Sequence, residues 1–449
     1  MKKQVRKVIG LATSVGLLSA GVALAPAPAT AASGPTPAQI AKAMNTPTTL
    51  TFWTWVGNIQ DEVKVFEKKY PKIHVKVLNV GQGGPHYQKL RAGALSGSGL
   101  PDVAQVEYQY IPTFVALKAL LDISPYVSKD FRKKFVDWTV SQVSGPKGQI
   151  YGVPQDTGPM GLLYRKDIFD KYGISVPKTW DEFAAAAHKL HAADPNVYLA
   201  DFTGNDGGWW NGLLWQAGSR PFGIKGTSTV KIATDDANSQ KVANYWAGLV
   251  KDGVVATDPA WNNDWYAGWN SGKYATWPTA AWGAGFMSDN AKSTAGNWRV
   301  APMPQWSASG KQVAGNWGGS SDVVLRTTKN PIAAAQFAEF LNSNPKTAMM
   351  LSTEQFQFPA AKIILGNKAW QNSSVAFFGG QKVNQLFGQI SNTVAKDYKW
   401  SPFQDEVYTE WQNILASAIV NKGDVPGAVK QLQSSLVSYA VDQGFTVTH

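Results

Sequence analysis

The sequence predicts an α/β fold in two lobes, each built on a mainly parallel β-sheet flanked by helices. The first observation is an alternation of strand-like and helix-like segments from residue 48 onward. Strands separated by helices of about 10–15 residues are typical of parallel, doubly wound sheets. The second observation is length, because about 415 of the 449 residues remain once an N-terminal signal is removed. A single hydrophobic core stops growing at around 250–300 residues, so we expect two lobes.

The alternation is clearest in the first sixty residues of the predicted fold. Successive segments are a strand at 49–55, a helix with an apolar stripe at Ile59, Val63, Phe66 and Tyr70, a strand at 73–80, a helix at 86–95 and a strand at 103–106. Apolar residues at i, i+4, i+7 and i+11 share one helical face. Ligands of such sheets bind beyond the carboxyl ends of the strands, where Trp55, Glu107 and Tyr108 are expected.

The later segments predict a crossing between lobes and a helical C-terminal part. Residues 150–159 hold two short apolar pieces with Pro and Gly between them, which suits a chain passing from one lobe to the other. A strand at 160–164 and a helix at 180–190 follow, with Thr179 as its N-cap. A strand is predicted at 323–325, and a long amphipathic helix carries Val407, Trp411, Ile414, Leu415 and Ala418.

The N-terminus has the pattern of a secretory signal peptide. Residues 1–7 are basic, residues 8–25 are apolar and small, and Ala29-Thr30-Ala31 fits a cleavage site. We therefore expect a signal peptide at 1–31 and a flexible leader at 32–47, with an exported mature chain. No other apolar run reaches about 18 residues. Cysteine is absent, so neither disulfides nor a lipoprotein anchor are expected.

The charge distribution argues against nucleic-acid binding. The formal charge is +11, and removal of Lys2, Lys3, Arg6 and Lys7 with the signal leaves +7. The basic residues are scattered, whereas a nucleic-acid binder concentrates them in a patch. The remaining charge predicts some retention at an anionic cell wall. Only 16% of residues are charged, so we also expect tolerance of acid surroundings.

Nineteen tryptophans are the most informative compositional feature. Many stand beside Gly, Asn and Asp in segments that read as strand ends and loops. Indole rings in such places predict flat, amphipathic surfaces for a ligand with an apolar face and a hydroxylated edge, such as a sugar ring. We expect about two-thirds of the tryptophans to be packing residues instead, because Trp is largely buried on average.

Signals for catalysis, metals and cofactors are weak. Glu107, Asp156 and Asp206 could supply the two carboxylates of glycoside hydrolysis, but they suit hydrogen bonding to sugar hydroxyls equally well. Motifs for serine nucleophiles, zinc proteases and phosphate-binding loops are absent from the sequence. His188 and His191 stand three residues apart on a predicted helix, and without a third ligand nearby we interpret them as surface residues. No cofactor and no metal are expected.

The chain resembles the extracellular solute-binding proteins of carbohydrate ABC importers, the group that includes maltodextrin-binding protein. The resemblance runs from about residue 48 to the C-terminus. Its carriers are LTFW at 50–53, FEKKYPKIHV at 66–75, LPDV at 100–103, GQIYGVP at 148–154, LYRKDIF at 163–169 and PKTWDEF at 177–183. Each fragment is short, and their order and spacing together are specific.

The resemblance implies a type II periplasmic-binding-protein fold whose lobes close on a ligand about a hinge. The N-terminal lobe would comprise 48–155 and 317–352, and the C-terminal lobe 156–316 and 353–449. The ligand-binding residues it implies are Trp55, Glu107, Tyr108, Asp156, Asn205, Trp209, Trp282 and Trp317.

The function it implies is non-catalytic binding of an oligosaccharide, by a monomer that delivers it to the transmembrane subunits of an ABC permease. The missing lipoprotein cysteine departs from the pattern of relatives in bacteria without an outer membrane. Localisation is therefore expected to be extracellular, wall-associated or periplasmic. A secreted glycoside hydrolase or lyase with tryptophan-lined subsites is the alternative, and a wall-associated carbohydrate scavenger or sensor is a third hypothesis.

Overall fold

Eleven strands form three sheets in this computed structural model, which describes residues 34–226 and 228–448. The strands are β1 Thr48–Trp53, β2 Ile73–Leu78, β3 Val103–Glu107, β4 Val153–Pro154, β5 Met160–Arg165, β6 Phe222–Lys225, β7 Thr229–Ile232, β8 Thr276–Ala280, β9 Trp298–Pro302, β10 Ser320–Val324 and β11 Thr446–Thr448. All of them belong to the compact unit Pro35–His449.

Helices surround these sheets along the whole described chain. The first ten are α1 Pro37–Met44, α2 Gln60–Lys69, α3 Gly84–Ser96, α4 Ile111–Ala116, α5 Phe131–Lys134, α6 Asp137–Gln142, α7 Lys166–Lys171, α8 Trp180–Ala193, α9 Gly207–Ala217 and α10 Ala237–Lys251. The others are α11 Asn263–Ser271, α12 Gly283–Asn290, α13 Pro331–Ser343, α14 Pro345–Thr353, α15 Lys362–Leu365, α16 Lys368–Asn372, α17 Val383–Ser391, α18 Gln404–Val420 and α19 Val425–Asp442.

The first sheet has the strand order β2-β1-β3-β10-β4. Strands β1, β2 and β3 are parallel, as the alternation of the sequence predicts. Strand β10 lies antiparallel between β3 and β4, because the chain enters the sheet there from the opposite end, through residues 315–319. The carboxyl ends of β1 and β3 therefore meet at one edge, and the chain leaves that edge as Thr54-Trp55 and Tyr108.

The second central sheet has the order β8-β5-β9, and here the prediction of a mainly parallel sheet is wrong. Strand β5 is antiparallel to both neighbours. The reason is that β5 enters from the crossing at 155–159, whereas β8 and β9 both run back toward it. A small outer sheet, β11-β7-β6, lies beside α19. The overall α/β class is unaffected by this correction.

Local sequence signals account for most helix positions. The Thr179 side chain accepts a hydrogen bond from the Glu182 N–H at 3.1 Å, so the predicted N-cap of α8 is confirmed. Helix α18 buries Val407, Trp411 and Leu415, which confirms its predicted apolar face. Strand β10 begins three residues before its predicted start, because its burial on both faces hides the alternation that marks a half-buried strand.

The predicted signal peptide, 1–31, lies outside the described residues. The prediction of a flexible leader at 32–47 is corrected where the chain is described, because Pro37–Met44 forms a helix. Thr36 and Gln39 make a capping box at its start, and Met44 is buried. Helix α1 packs against α13, so apolar contacts stabilise a segment that its composition had predicted to be flexible.

Candidate functional site

Two segments that connect the central sheets, and a third that follows α14, form the floor of the site. Residues 155–159 run from β4 to β5, residues 315–319 lead into β10, and residues 358–361 follow α14. The Thr157 N–H donates to the Phe358 carbonyl at 2.8 Å, and the Trp317 N–H donates to the Gly158 carbonyl at 2.8 Å. These bonds hold the segments side by side at the edge where β3 ends.

Close backbone approach between the segments requires glycine. A Cβ built on Gly158 would lie 1.8 Å from the Trp317 carbonyl oxygen. Gly319 has φ +93°, and a Cβ there would lie 2.8 Å from the Tyr108 ring and 3.0 Å from the Asp156 carbonyl oxygen. Since neither position has room for a side chain, glycine at both sites allows the segments to touch.

A polar cavity of about 300 Å³ opens above these segments. It lies between the end of β3, the start of α9 and the first half of α18. Its lining residues are Glu107, Gln109, Tyr110, Asn205, Asp206, Gly207, Gly208, Trp317, Gly318, Tyr408, Trp411 and Gln412. We call this space the cleft cavity. Of the eight predicted ligand-binding residues, Glu107, Asn205 and Trp317 line it.

Glu107 stands at the end of β3 and is held by two side chains. Its Oε2 accepts a hydrogen bond from the Tyr87 hydroxyl at 3.0 Å. Burial raises the pKa of the Glu107 carboxyl, and hydrogen bonds from Tyr87 and Gln109 counteract that rise. The charge of Asp206 raises the pKa of Glu107 further, so the two carboxylates are close enough to repel each other.

Asp206 connects the start of α9 to an indole ring. One carboxylate oxygen accepts the Trp209 backbone N–H at 2.8 Å and caps the helix. The other accepts the Trp261 indole N–H at 2.9 Å. Burial raises the pKa of Asp206 to about 6, against the hydrogen bonds that lower it. Asp206 therefore fixes both the local backbone and the position of Trp261.

Trp261 has a left-handed backbone, with φ +71°. Non-glycine residues rarely adopt this conformation, and those that do often lie at functional sites. Its loop is held by Asn205, whose amide oxygen accepts the Ala260 N–H at 2.9 Å and whose amide donates to the Ala260 carbonyl at 3.0 Å. Asn205 thus stabilises the loop that presents Trp261, besides lining the cleft cavity.

Trp261, Trp282 and Trp317 form one aromatic group, which we call the cleft tryptophans. The ring centroids of Trp282 and Trp317 are 4.6 Å apart, and Trp261 lies 6.3 Å from Trp282 and 5.9 Å from Trp317. The Trp282 indole N–H donates to the Trp317 carbonyl at 2.8 Å. Trp282 and Trp317, both predicted ligand-binding residues, are therefore in contact, and Trp261 joins them although it was not among the predicted binding residues.

Other predicted site residues lie behind the cleft cavity or to one side of it. Tyr108 is fully buried, and its hydroxyl donates to the Asp156 carbonyl at 2.9 Å. The Asp156 carboxylate accepts the Ser320 N–H at 2.6 Å, and burial raises its pKa to about 7. Trp55 is half-buried, with its ring 4.9 Å from that of His86. Tyr108 and Asp156 therefore support the floor from below.

Trp209 is the clearest correction among the predicted residues. Its side chain is 1% exposed, and its indole N–H donates to the Pro278 carbonyl at 2.7 Å. The ring packs against Phe202 and Trp246. Residue 209 lies on the inward face of α9, so its ring points into the core and away from the cleft cavity.

Several cavity residues were not predicted from the sequence. Gln109 and Tyr110 form a 3₁₀ turn after β3, and Tyr408 and Trp411 lie on α18. The Tyr110 and Tyr408 rings lie edge to face with centroids 6.5 Å apart, and Arg91 on α3 pairs with Asp405 on α18. Position after a strand end could have indicated Gln109 and Tyr110. For α18, nothing in the sequence indicated which helix covers the cleft.

Two larger cavities lie away from these aromatic and carboxylate groups. One of about 560 Å³ lies between α6 and α17, and one of about 520 Å³ lies beside α12, α14 and α16. In neither does the lining include any of the eight predicted ligand-binding residues. We therefore place the candidate site at the cleft cavity.

The two helix histidines make separate contacts. His188 Nε2 lies 3.4 Å from Asp252, and the His191 ring stacks on Tyr198 at 5.0 Å. The described residues contain no group of three or more His, Cys, Asp or Glu side chains that is arranged to hold a metal ion. In the same part of the chain, no helix combines the length and hydropathy needed to cross a bilayer.

Comparison with known proteins identifies the family. Residues 53–348 match the family of bacterial extracellular solute-binding proteins. An arabinooligosaccharide-binding protein of Bacillus subtilis is 27% identical over 305 residues, which cover 65% of this chain and 69% of that protein. A lactose-binding protein of Rhizobium radiobacter is 26% identical over 358 residues, covering 75% and 81%.

Solved structures of other binding proteins are similar to this chain in both fold and sequence. The ABC transporter-associated binding protein of B. animalis subsp. lactis, in complex with β-1,6-galactobiose, is 30% identical with a TM-score of 0.76, over 90% of this chain and 100% of that one. The galacto-N-biose-/lacto-N-biose I-binding protein of Bifidobacterium longum is 26% identical with a TM-score of 0.77, over 89% and 98%. The two-lobed type II fold predicted from the sequence is thereby confirmed. The chain belongs to the bacterial extracellular solute-binding proteins.

Proposed function

We propose that this protein binds an oligosaccharide in the cleft cavity and presents it to an ABC permease. The observation that carries the proposal is the meeting of Trp317 with Glu107, Asn205 and Asp206 at one cavity, with Trp261 and Trp282 packed against Trp317. Sugar rings have apolar faces that pack on indoles and hydroxyl edges that bond to carboxylates and amides. The saccharide ligands named for the relatives described above support the same ligand class.

The expected contribution of each ring follows from its area. If a stacked pyranose removes roughly 100 Å² of apolar surface from water, one full stacking contact contributes about 2–2.5 kcal/mol. Trp317 lines the cavity but is only 8% exposed, so it offers a small part of that area, and Trp317→Ala should weaken binding about threefold to fivefold. Trp306→Ala is the matched control, because Trp306 is half-buried against Trp180 and Tyr245, outside the cavity lining.

The experiment is a thermal-shift screen followed by calorimetry. The panel contains β-1,6-galactobiose, lacto-N-biose, lactose, maltose and arabinotriose. A ligand at a hundredfold excess over its dissociation constant stabilises the folded state by about 2.7 kcal/mol. If no saccharide shifts the melting temperature, the carbohydrate proposal fails. If Trp306→Ala weakens binding as much as Trp317→Ala, the placement of the site fails.

The proposal includes the absence of catalysis. Family membership as a solute-binding protein supports it, and saccharide recovered unchanged after prolonged incubation would agree with it. Release of reducing ends by the wild-type protein, abolished in Glu107→Gln, would favour the glycoside hydrolase alternative instead.

The positive net charge of the protein is expected to help retain it at an anionic cell wall. Salt should therefore elute the protein from isolated walls.

A further inference from the structure

The charged residues that line the cleft cavity are all acidic. Glu107 enters from the end of β3 and Asp206 from the start of α9, and no Lys or Arg is among the lining residues described. The charge of Asp206 acts on Glu107 and raises its pKa. The two carboxylates therefore face the same small space without a cation of the protein between them.

Basic groups close to the cavity are neutral or already engaged. Burial lowers the pKa of His86 to about 4, so its imidazole is uncharged at neutral pH. Arg91 is paired with Asp405. The Lys89 ammonium donates to the Val80 carbonyl at 2.7 Å. None of these three side chains lines the cavity, so none is in place to balance the two carboxylates there.

A separate observation concerns the hydrogen-bonding groups of the lining residues. Gln109 lines it, is only 7% exposed, and its Oε1 has no hydrogen-bond partner. A buried acceptor without a partner is unfavourable by about 1–3 kcal/mol. Because this oxygen has almost no exposed surface, an occupant supplies its donor only after the Gln109 side chain turns toward the cavity. The same holds for the Trp411 indole N–H, a buried donor without a partner.

These groups decide which saccharides fit. Hydroxyls both donate and accept, and an ammonium donates three hydrogen bonds, whereas a carboxylate only accepts. A carboxylate inside the cavity would meet acceptor oxygens at Glu107 and Asp206. It would also be repelled by two like charges in surroundings less polarisable than water. We propose that the cleft cavity selects uncharged or amino-bearing saccharides and rejects acidic ones such as uronic acids.

This inference rests on the proposed function, and its test separates the two. The saccharide with the largest shift in the panel above is compared with its 2-amino-2-deoxy form and its uronic or aldonic acid form. Dissociation constants are measured by calorimetry at neutral pH and constant ionic strength. We expect the acid form to bind at least ten times more weakly than the amino form.

Each outcome bears on one of the two proposals. An acid form that binds as tightly as the amino form overturns the selectivity while leaving carbohydrate binding intact. A panel in which nothing binds removes the proposed function, and the selectivity falls with it. High salt should reduce the discrimination, since screening weakens the repulsion, and this measurement needs no variant.

Glu107→Gln tests the origin of the selectivity. The amide keeps an oxygen for the Tyr87 hydroxyl but removes one charge, so the ratio of the two dissociation constants should narrow at least threefold. Asp322→Asn is the control, because Asp322 is a buried carboxylate of the same sheet that does not line the cavity. A ratio unchanged by Glu107→Gln, or changed equally by Asp322→Asn, contradicts the assignment.

Discussion

Asp322→Asn should make this protein more stable at neutral and alkaline pH. Asp322 is fully buried on β10, where its Oδ2 accepts hydrogen bonds from Asn342 at 2.6 Å and Gln155 at 3.4 Å. Its other oxygen, Oδ1, has no partner. The remaining amide oxygens of Gln155 and Asn342 also lack donors. A proton on Asp322, or an amide N–H in its place, could supply one.

The magnitude follows from the pKa of the carboxyl. Burial raises the pKa of Asp322 to about 7, against roughly 3.9 in an unfolded chain. The native state therefore binds the proton more tightly, and this stabilisation is complete below pH about 4 and lost as pH rises through about 7. At about 1.4 kcal/mol per pKa unit, the ionised group costs up to about 4 kcal/mol at pH about 8 and about 1.5 kcal/mol at pH about 5.

The assay is the melting temperature of ligand-free protein between pH about 5 and about 8. For about 415 residues the unfolding entropy is about 0.9 kcal/mol/K, so each kcal/mol shifts the midpoint by about 1 °C. The advantage of Asp322→Asn over wild type should widen by about 2–3 °C across this range. Asp289→Asn, at an exposed position, is the control and should show no widening. Parallel curves for Asp322→Asn and wild type, or destabilisation at the alkaline end, would refute the reasoning.

Two further substitutions test how the site is held. Asp206→Ala removes the N-cap of α9 and the acceptor of the Trp261 indole N–H. The free energy of unfolding, measured in urea, should therefore fall by about 2 kcal/mol, and the affinity for the saccharide should fall with it. An unchanged affinity would show that Trp261 does not contribute to the site. Gly158→Ala places a Cβ against the Trp317 carbonyl, where only backbone can move, and should destabilise by about 3 kcal/mol or more. Gly57→Ala, which meets nothing within 4 Å, is its control, and equal melting temperatures for both variants would contradict the close packing of the crossing segments.

The sequence by itself determined the α/β class, the parallel strands of the first sheet and the crossing at 155–159, since these depend on local periodicity and on Pro and Gly positions. Order and spacing of short motifs also indicated the family. The strand pattern placed Glu107 at a strand end and the family resemblance implied Trp317, and both line the cleft cavity. The lobe boundaries and all of the ligand contacts stay predictions.

Only the tertiary structure decided which tryptophans face the cleft. Trp209 and Trp261 both stand in polar, glycine-containing or asparagine-containing surroundings in the sequence. Trp209 points into the core because α9 turns that face inward, whereas Trp261 packs beside Trp282 and Trp317 because a left-handed backbone and the Asp206 carboxylate hold it there. The strand direction in the second sheet was likewise decided by where the chain enters it. Such outcomes depend on contacts between segments distant in sequence, which local patterns do not encode.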